Sequence, residues 1–128
     1  MTNNPKNAVT WFSIPATDFD KSVKFYEELL DISLDLVTME GDASSYGRFP
    51  VMDGGVSGAV TSDGRYRKGG NGTGVVIYLA CRDIDASIAK LDKLGGELLA
   101  PKMPLPGDMG QVAVIADCDG NPVGLHQA

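Results

Sequence analysis

The stretch IPATDFDKSV, Ile14 to Val23, returns 65 residues later as LACRDIDASI, Leu79 to Ile88. Each copy runs from an apolar strand end into Asp, an apolar residue, Asp, any residue, Ser and an apolar residue. Asp18, Asp20 and Ser22 meet identical residues, Asp83, Asp85 and Ser87, and the apolar positions match in type. A chain of 128 residues divides almost evenly at that offset, so the repeat constrains the whole fold.

Working outward, each half reads the same way. Val9 to Ile14 alternates, with Thr10, Phe12 and Ile14 on one face and Val9, Trp11 and Ser13 on the other. Period two with β-branched and aromatic residues predicts a strand. Asp18 then caps a helix whose apolar stripe is Phe19, Val23, Tyr26 and Leu30, ending near Leu30-Asp31 without a glycine. In the second half Val75, Ile77 and Leu79 form a strand face, Asp83 caps, and Ile84, Ile88 and Leu91 supply the stripe. Gly95-Gly96 stops that helix, because glycine accepts the left-handed conformation. Three short strands are expected after each helix, at 33–39, 45–51 and 56–61, then at 97–101, 111–116 and 122–127. The chain is thus one domain, 1–128, made of a βαβββ module at 8–61, a linker at 62–73 rich in Gly and polar residues, and a second module at 74–127.

The net charge is −6, and Lys and Arg are scattered without a basic run. Nucleic acid and anionic membrane surfaces are therefore excluded as partners. No apolar stretch reaches the length of a membrane span and Met1 to Asn7 is polar, so the expected location is cytoplasmic. Cys81 and Cys118 form neither a CxxC motif nor a metal spacing. They read as two reduced thiols, one at a strand end and one in a turn.

Trp11 to Leu30 resembles the opening strand and helix of a glyoxalase-like module. Val75 to Gln127 resembles a complete second module, including the turn of Asp117, Asp119, Gly120 and Asn121 before the last strand. On these motifs the chain is similar to the glyoxalase/bleomycin resistance/ring-cleaving dioxygenase (vicinal oxygen chelate) superfamily, in a branch related to lactoylglutathione lyase. The resemblance implies an α+β fold in which the two modules form a curved mixed sheet around a cleft. It also implies a homodimer.

The family sets four metal ligands, usually His, Gln or Glu, on the first and last strands of the two modules. Carried onto this sequence, the first-strand positions fall seven residues before each capping Asp, at Trp11 and Val76. The last-strand position falls three residues after Asn121, at Gly124, and the matching strand of the first half puts Gly58 there. None of these side chains can coordinate a metal. The expectation is therefore a site with no metal and no cofactor.

Strand alternation places Trp11 and Ser13, Val76 and Tyr78, and Gly124 and His126 on the faces that line the implied cleft. Trp11, Ser13, Val76, Gly58 and Gly124 are candidate substrate-binding residues for a small organic molecule. Tyr78 and His126 are candidate catalytic groups, since an imidazole near its ordinary pKa suits acid-base work. Two readings stay open: a metal-independent lyase or isomerase, and a non-catalytic protein that sequesters a planar compound. Other motifs carry no chemistry. Ser57 lacks the second glycine of a nucleophile elbow, since Ala59 stands there. Gly70 to Gly74 precedes a strand, so no helix N-terminus receives a phosphate. Asp117, Asp119 and Asn121 lack the closing Glu of a calcium loop and read as a β-turn. Arg48, Arg65, Arg67 and Lys68 read as a solvated surface.

Overall fold

The computed structural model describes residue 9 and residues 11–38, 43–62, 76–105 and 107–128; apart from Ser62, the expected linker lies outside the described residues. In chain order the elements are β1 Trp11–Pro15, α1 Phe19–Leu30, β2 Asp35–Thr38, β3 Ser45–Arg48, β4 Ser57–Thr61, β5 Ile77–Ala80, α2 Ile84–Leu94, β6 Glu97–Pro104, β7 Gln111–Ala116 and β8 Pro122–Gln127. They form two four-stranded mixed sheets, ordered β1-β4-β3-β2 and β5-β8-β7-β6. Each module pairs its first strand in parallel with its last, which requires the intervening helix and strands as a crossover.

The repeat of 65 residues holds from the first strand to the last. Phe12 lies opposite Gly58 as Ile77 lies opposite Val123. Ala16 N donates to Thr61 O at 2.9 Å, as Cys81 N donates to His126 O at 2.8 Å. The modules differ in their hairpins. Strand β3 stops at Arg48, short of the expected Val51. One further ladder bond, Phe49 N to Gly58 O at 3.0 Å, precedes Pro50, which has no N–H to continue it. Strand β6 runs past the expected Pro101 to Pro104 with two register shifts. It is an edge strand, where prolines, a lysine and bulges discourage pairing with another chain.

Both helices are capped as the sequence predicts. Asp18 accepts from Lys21 N at 3.2 Å and Asp83 from Ala86 N at 3.1 Å. Gly95 ends α2 with φ 83°, and Gly96 N reaches back to Leu91 O at 2.9 Å. Helix α1 ends the same way on Asp31 at φ 56°, with Ile32 N bonded to Glu27 O at 3.1 Å. Aspartate is among the few residues that visit this region without a large penalty.

One core joins the modules. Ile14, Phe25, Tyr26, Leu29 and Val60 of the first pack in the same cluster as Leu79, Ile84, Ile115 and Leu125 of the second. The matched serines explain the third polar identity of the repeat. Ser22 Oγ donates to Asp119 Oδ2 at 2.9 Å, and Ser87 Oγ donates to Leu29 O at 2.6 Å. Each helix thus sends one buried hydroxyl into the other module.

Candidate functional site

Each sheet turns one face toward the helices and one away. On β1, Phe12 and Ile14 point to the core, so Trp11 and Ser13 share the outward face. Trp11 is 44% exposed, and its Nε1 donates to Ser13 Oγ at 3.3 Å. In the second module Leu79, Val123 and Leu125 are core, which puts Tyr78, Gly124 and His126 outward. Tyr78 is 51% exposed and its ring covers Gly124, its direct partner. Val76 is half-buried just ahead of β5.

The register corrects one assignment. Gly58 pairs with Phe12 and lies under its ring on the core face, in the place of Val123. Ala59, opposite Ser13, is the true counterpart of Gly124. The four positions implied for metal ligands therefore hold Trp11, Ala59, Val76 and Gly124. Their side chains offer no lone pair, since the indole nitrogen only donates. Among the described residues no group of three or more His, Cys, Asp or Glu gathers. These residues do not fit a divalent metal at the family's position.

A cleft of about 420 Å³ opens between the modules, within the size range of small-ligand sites. Its apolar lining includes Phe12, Leu30, Ile32, Phe49, Val51 and Val56, with the two phenyl rings 5.4 Å apart. Its polar lining is Tyr78, Cys81, Arg82 and His126. Strand β5 is an edge strand, so side chains from both of its faces border the opening. His126 Nε2 lies 2.7 Å from Met109 O. A carbonyl only accepts, so the ring donates and carries a hydrogen on Nε2; in the neutral ring Nδ1 is then the acceptor. Ser87 gives its hydrogen to Leu29 O, so the Cys81 thiol, 3.3 Å away, donates to Ser87 Oγ. Arg82 stands 3.8 Å from Asp31, and both side chains are largely exposed.

The structure brings Tyr78 and His126 to this cleft. No hydrogen bond joins them among the described residues. Trp11, Ser13, Val76, Gly58 and Gly124 are not part of its lining. Phe49 and Arg82 were not among the site residues expected from the sequence, and Phe12 was placed there only on a strand face. For Arg82 the signal was present, because the repeat sets it against Thr17.

Why the cleft is open follows from the other junction. Asp117 is only 3% exposed, and four groups donate to it. They are Tyr26 Oη at 2.7 Å, and Asn121 Nδ2 and the backbone N–H groups of Asp119 and Asn121, each at 2.9 Å. Asn121 Nδ2 also donates to Pro15 O at 3.0 Å, and Thr17 Oγ1 donates to Asp119 Oδ1. The turn between β7 and β8 is thereby fastened onto the first module. Burial, then the charge and hydrogen bond of Asp117, hold the Tyr26 phenol well above its ordinary value of 10. Burial likewise raises the Cys118 thiol; the Ser22 hydrogen bond opposes this, and the charges of Asp117 and Asp119 add to it. The first module closes its matching turn with the same bond, Gly55 N to Met52 O at 2.9 Å beside Gly120 N to Asp117 O at 3.0 Å. Met52, Gly54 and Val56 replace Asp117, Asp119 and Asn121. None can reach across with a polar group, and Met52 is 88% exposed. Where the closed junction has Pro15, Ala16 and Thr17, the cleft has Ala80, Cys81 and Arg82. The cleft is the unfastened counterpart of the Asp117 junction.

The sequence model of the Glyoxalase/Bleomycin resistance protein/Dioxygenase superfamily matches residues 8–125. Two curated relatives, each named "Putative glyoxylase CFP32", from Mycobacterium bovis and Mycobacterium tuberculosis, are 28% identical over 118 residues. The match covers 92% of this chain and 44% of theirs, so the chain spans less than half their length. A glyoxalase/bleomycin resistance protein from Albidiferax ferrireducens superposes with a TM-score of 0.66 at 20% identity, over 95% of this chain and 99% of that one. Glyoxalase I from Zea mays gives 0.62 at 21% identity, over 92% and 45%. These likenesses show the fold.

Proposed function

The chain belongs to the glyoxalase/bleomycin resistance protein/dioxygenase superfamily, and within it we propose a protein that binds a small organic molecule in the cleft between its modules, without the family's divalent metal. The observation that carries this reading is the cleft itself: an apolar cavity of ligand size with Tyr78, Arg82 and His126 on its rim. Apolar walls with few polar groups are the usual composition of such a site. Fragment screening by methyl NMR tests it. A ligand of the cleft shifts the signals of Leu30, Ile32, Val51 and Val56; hits that move only other methyls would remove the cleft from the reading. Added nickel, zinc, manganese or iron leaves the melting temperature unchanged, and a saturating rise with any of them would contradict metal-free function.

A second reading adds chemistry. Tyr78 and His126 both border the cleft, and a neutral His126 ring with its hydrogen on Nε2 has a lone pair on Nδ1 that can accept a proton. In that reading they serve as the acid-base pair of a lyase or isomerase. An activity found on a bound compound must fall in both Tyr78→Phe and His126→Ala; turnover unchanged in both would leave a sequestering protein. The outward sheet faces, with exposed Trp11, Tyr78 and Met103, are read as covered in a homodimer. Light scattering that gives a monomer mass would withdraw that part.

A further inference from the structure

The repeat relates the two module junctions, and the closed one displays its occupant. There a carboxylate, Asp119, is held by Thr17 Oγ1 on one oxygen and Ser22 Oγ on the other. Counted forward through the repeat, Thr17 becomes Arg82 and Ser22 becomes Ser87; Asp119, counted back, becomes Gly54. The open junction therefore keeps a donor in the place of Thr17, now a guanidinium, and lacks the carboxylate. Ser87 is committed to Leu29 O, which leaves Arg82 as the anion-binding group. Its contact with Asp31 at 3.8 Å, between two exposed side chains, competes weakly. A guanidinium matches a carboxylate with two parallel hydrogen bonds. Phe12 and Phe49 both line this cleft, and an aromatic body reaching such a wall favours edge or offset contacts.

We infer that the cleft takes an aromatic monocarboxylate, with its carboxylate on Arg82, in the place Asp119 fills at the other junction, and its ring system against Phe12 and Phe49. This rests on the reading of the cleft as the ligand site. The open junction is completed from outside by the group that the closed junction carries in its own chain.

Two near-isosteric probes test it on the full chain: 2-naphthoate and the neutral 2-naphthylmethanol, titrated calorimetrically, with the cleft methyls followed by NMR. The acid is expected to bind about tenfold more tightly than the alcohol, as a charge-assisted hydrogen bond implies. Arg82→Gln, at an exposed position, should bring the two within about twofold while both still shift Leu30, Ile32, Val51 and Val56. Equal affinities with cleft methyls shifting would overturn the carboxylate and leave the cleft standing as the site. An acid preference that survives Arg82→Gln would overturn the assignment to Arg82. Binding of neither probe would overturn this inference alone, and shifts confined to other methyls would overturn both it and the reading beneath it.

Discussion

The two modules use the same packing device one residue out of step. In the first, the Phe12 ring lies over Gly58; in the second, the Tyr78 ring lies over Gly124. Both are direct partners in a parallel ladder. In the frame of the repeat, however, Phe12 matches Ile77 and Gly58 matches Val123. A one-residue step moves a side chain to the opposite face of a strand. The aromatic ring therefore faces the core in one module and solvent in the other. Caps and helix serines match between the modules; the ring-over-glycine pair and the last turn do not.

The comparison breaks most severely at the turns. Asp117→Ala removes an acceptor used by four donors and strands the buried Tyr26 hydroxyl, so urea denaturation should show a loss of about 3–5 kcal/mol. At the matching position Met52→Ala should stay within about 0.5 kcal/mol. Equal losses would mean that the two turns are structurally equivalent after all. The glycines come next. A Cβ at Gly58 would overlap both the Phe12 ring and its carbonyl oxygen, whereas at Gly124 the three nearest atoms all belong to the side chain of Tyr78, which is half exposed. Gly58→Ala should cost about 3 kcal/mol and Gly124→Ala about 1 kcal/mol or less, read from denaturation midpoints. Smaller again are the caps. Asp18→Ala and Asp83→Ala should each lose about 1 kcal/mol, and an unequal pair would show that the modules do not share helix stability evenly.

A further effect appears in alkali. The folded state holds the Tyr26 proton well above pH 10, while the unfolded chain releases it near its ordinary value. The Tyr26 contribution is therefore complete below pH 10 and falls as pH rises past it. The Cys118 thiol, raised from 9, acts in the same direction from about a unit lower. In Tyr26→Phe the decline should shrink to the thiol's share; an unchanged alkaline slope would show that the phenol does not titrate with unfolding.

Much of this architecture was legible because it is written twice. Asp18 with Asp83 gave both caps, and strands β7 and β8 fell at the expected residues, since Asn121 and Gly120 fix where that hairpin turns. The Gly58 assignment failed where the first module lacks such a turn signal; the repeat spacing alone would have pointed to Ala59. The burial of Asp117 was not legible, because Tyr26, which donates to it, and Pro15, which holds its neighbour Asn121, lie about ninety residues away or more, and nothing local distinguishes a solvated turn aspartate from a fastened one. The cleft was illegible for the converse reason. It arises from side chains that fail to reach across, and strand alternation directed attention to the outward faces instead.

The unequal turns also bear on how such a chain can change. Residues 50–56 include no buried charge and only a short turn bond, so substitutions there should cost less than at Asp117, Gly54 with its positive φ aside. Residues 117–121 have no such freedom. A repeated module with one fastened turn and one loose one thus separates a part of the molecule on which the fold depends from a part on which it depends less.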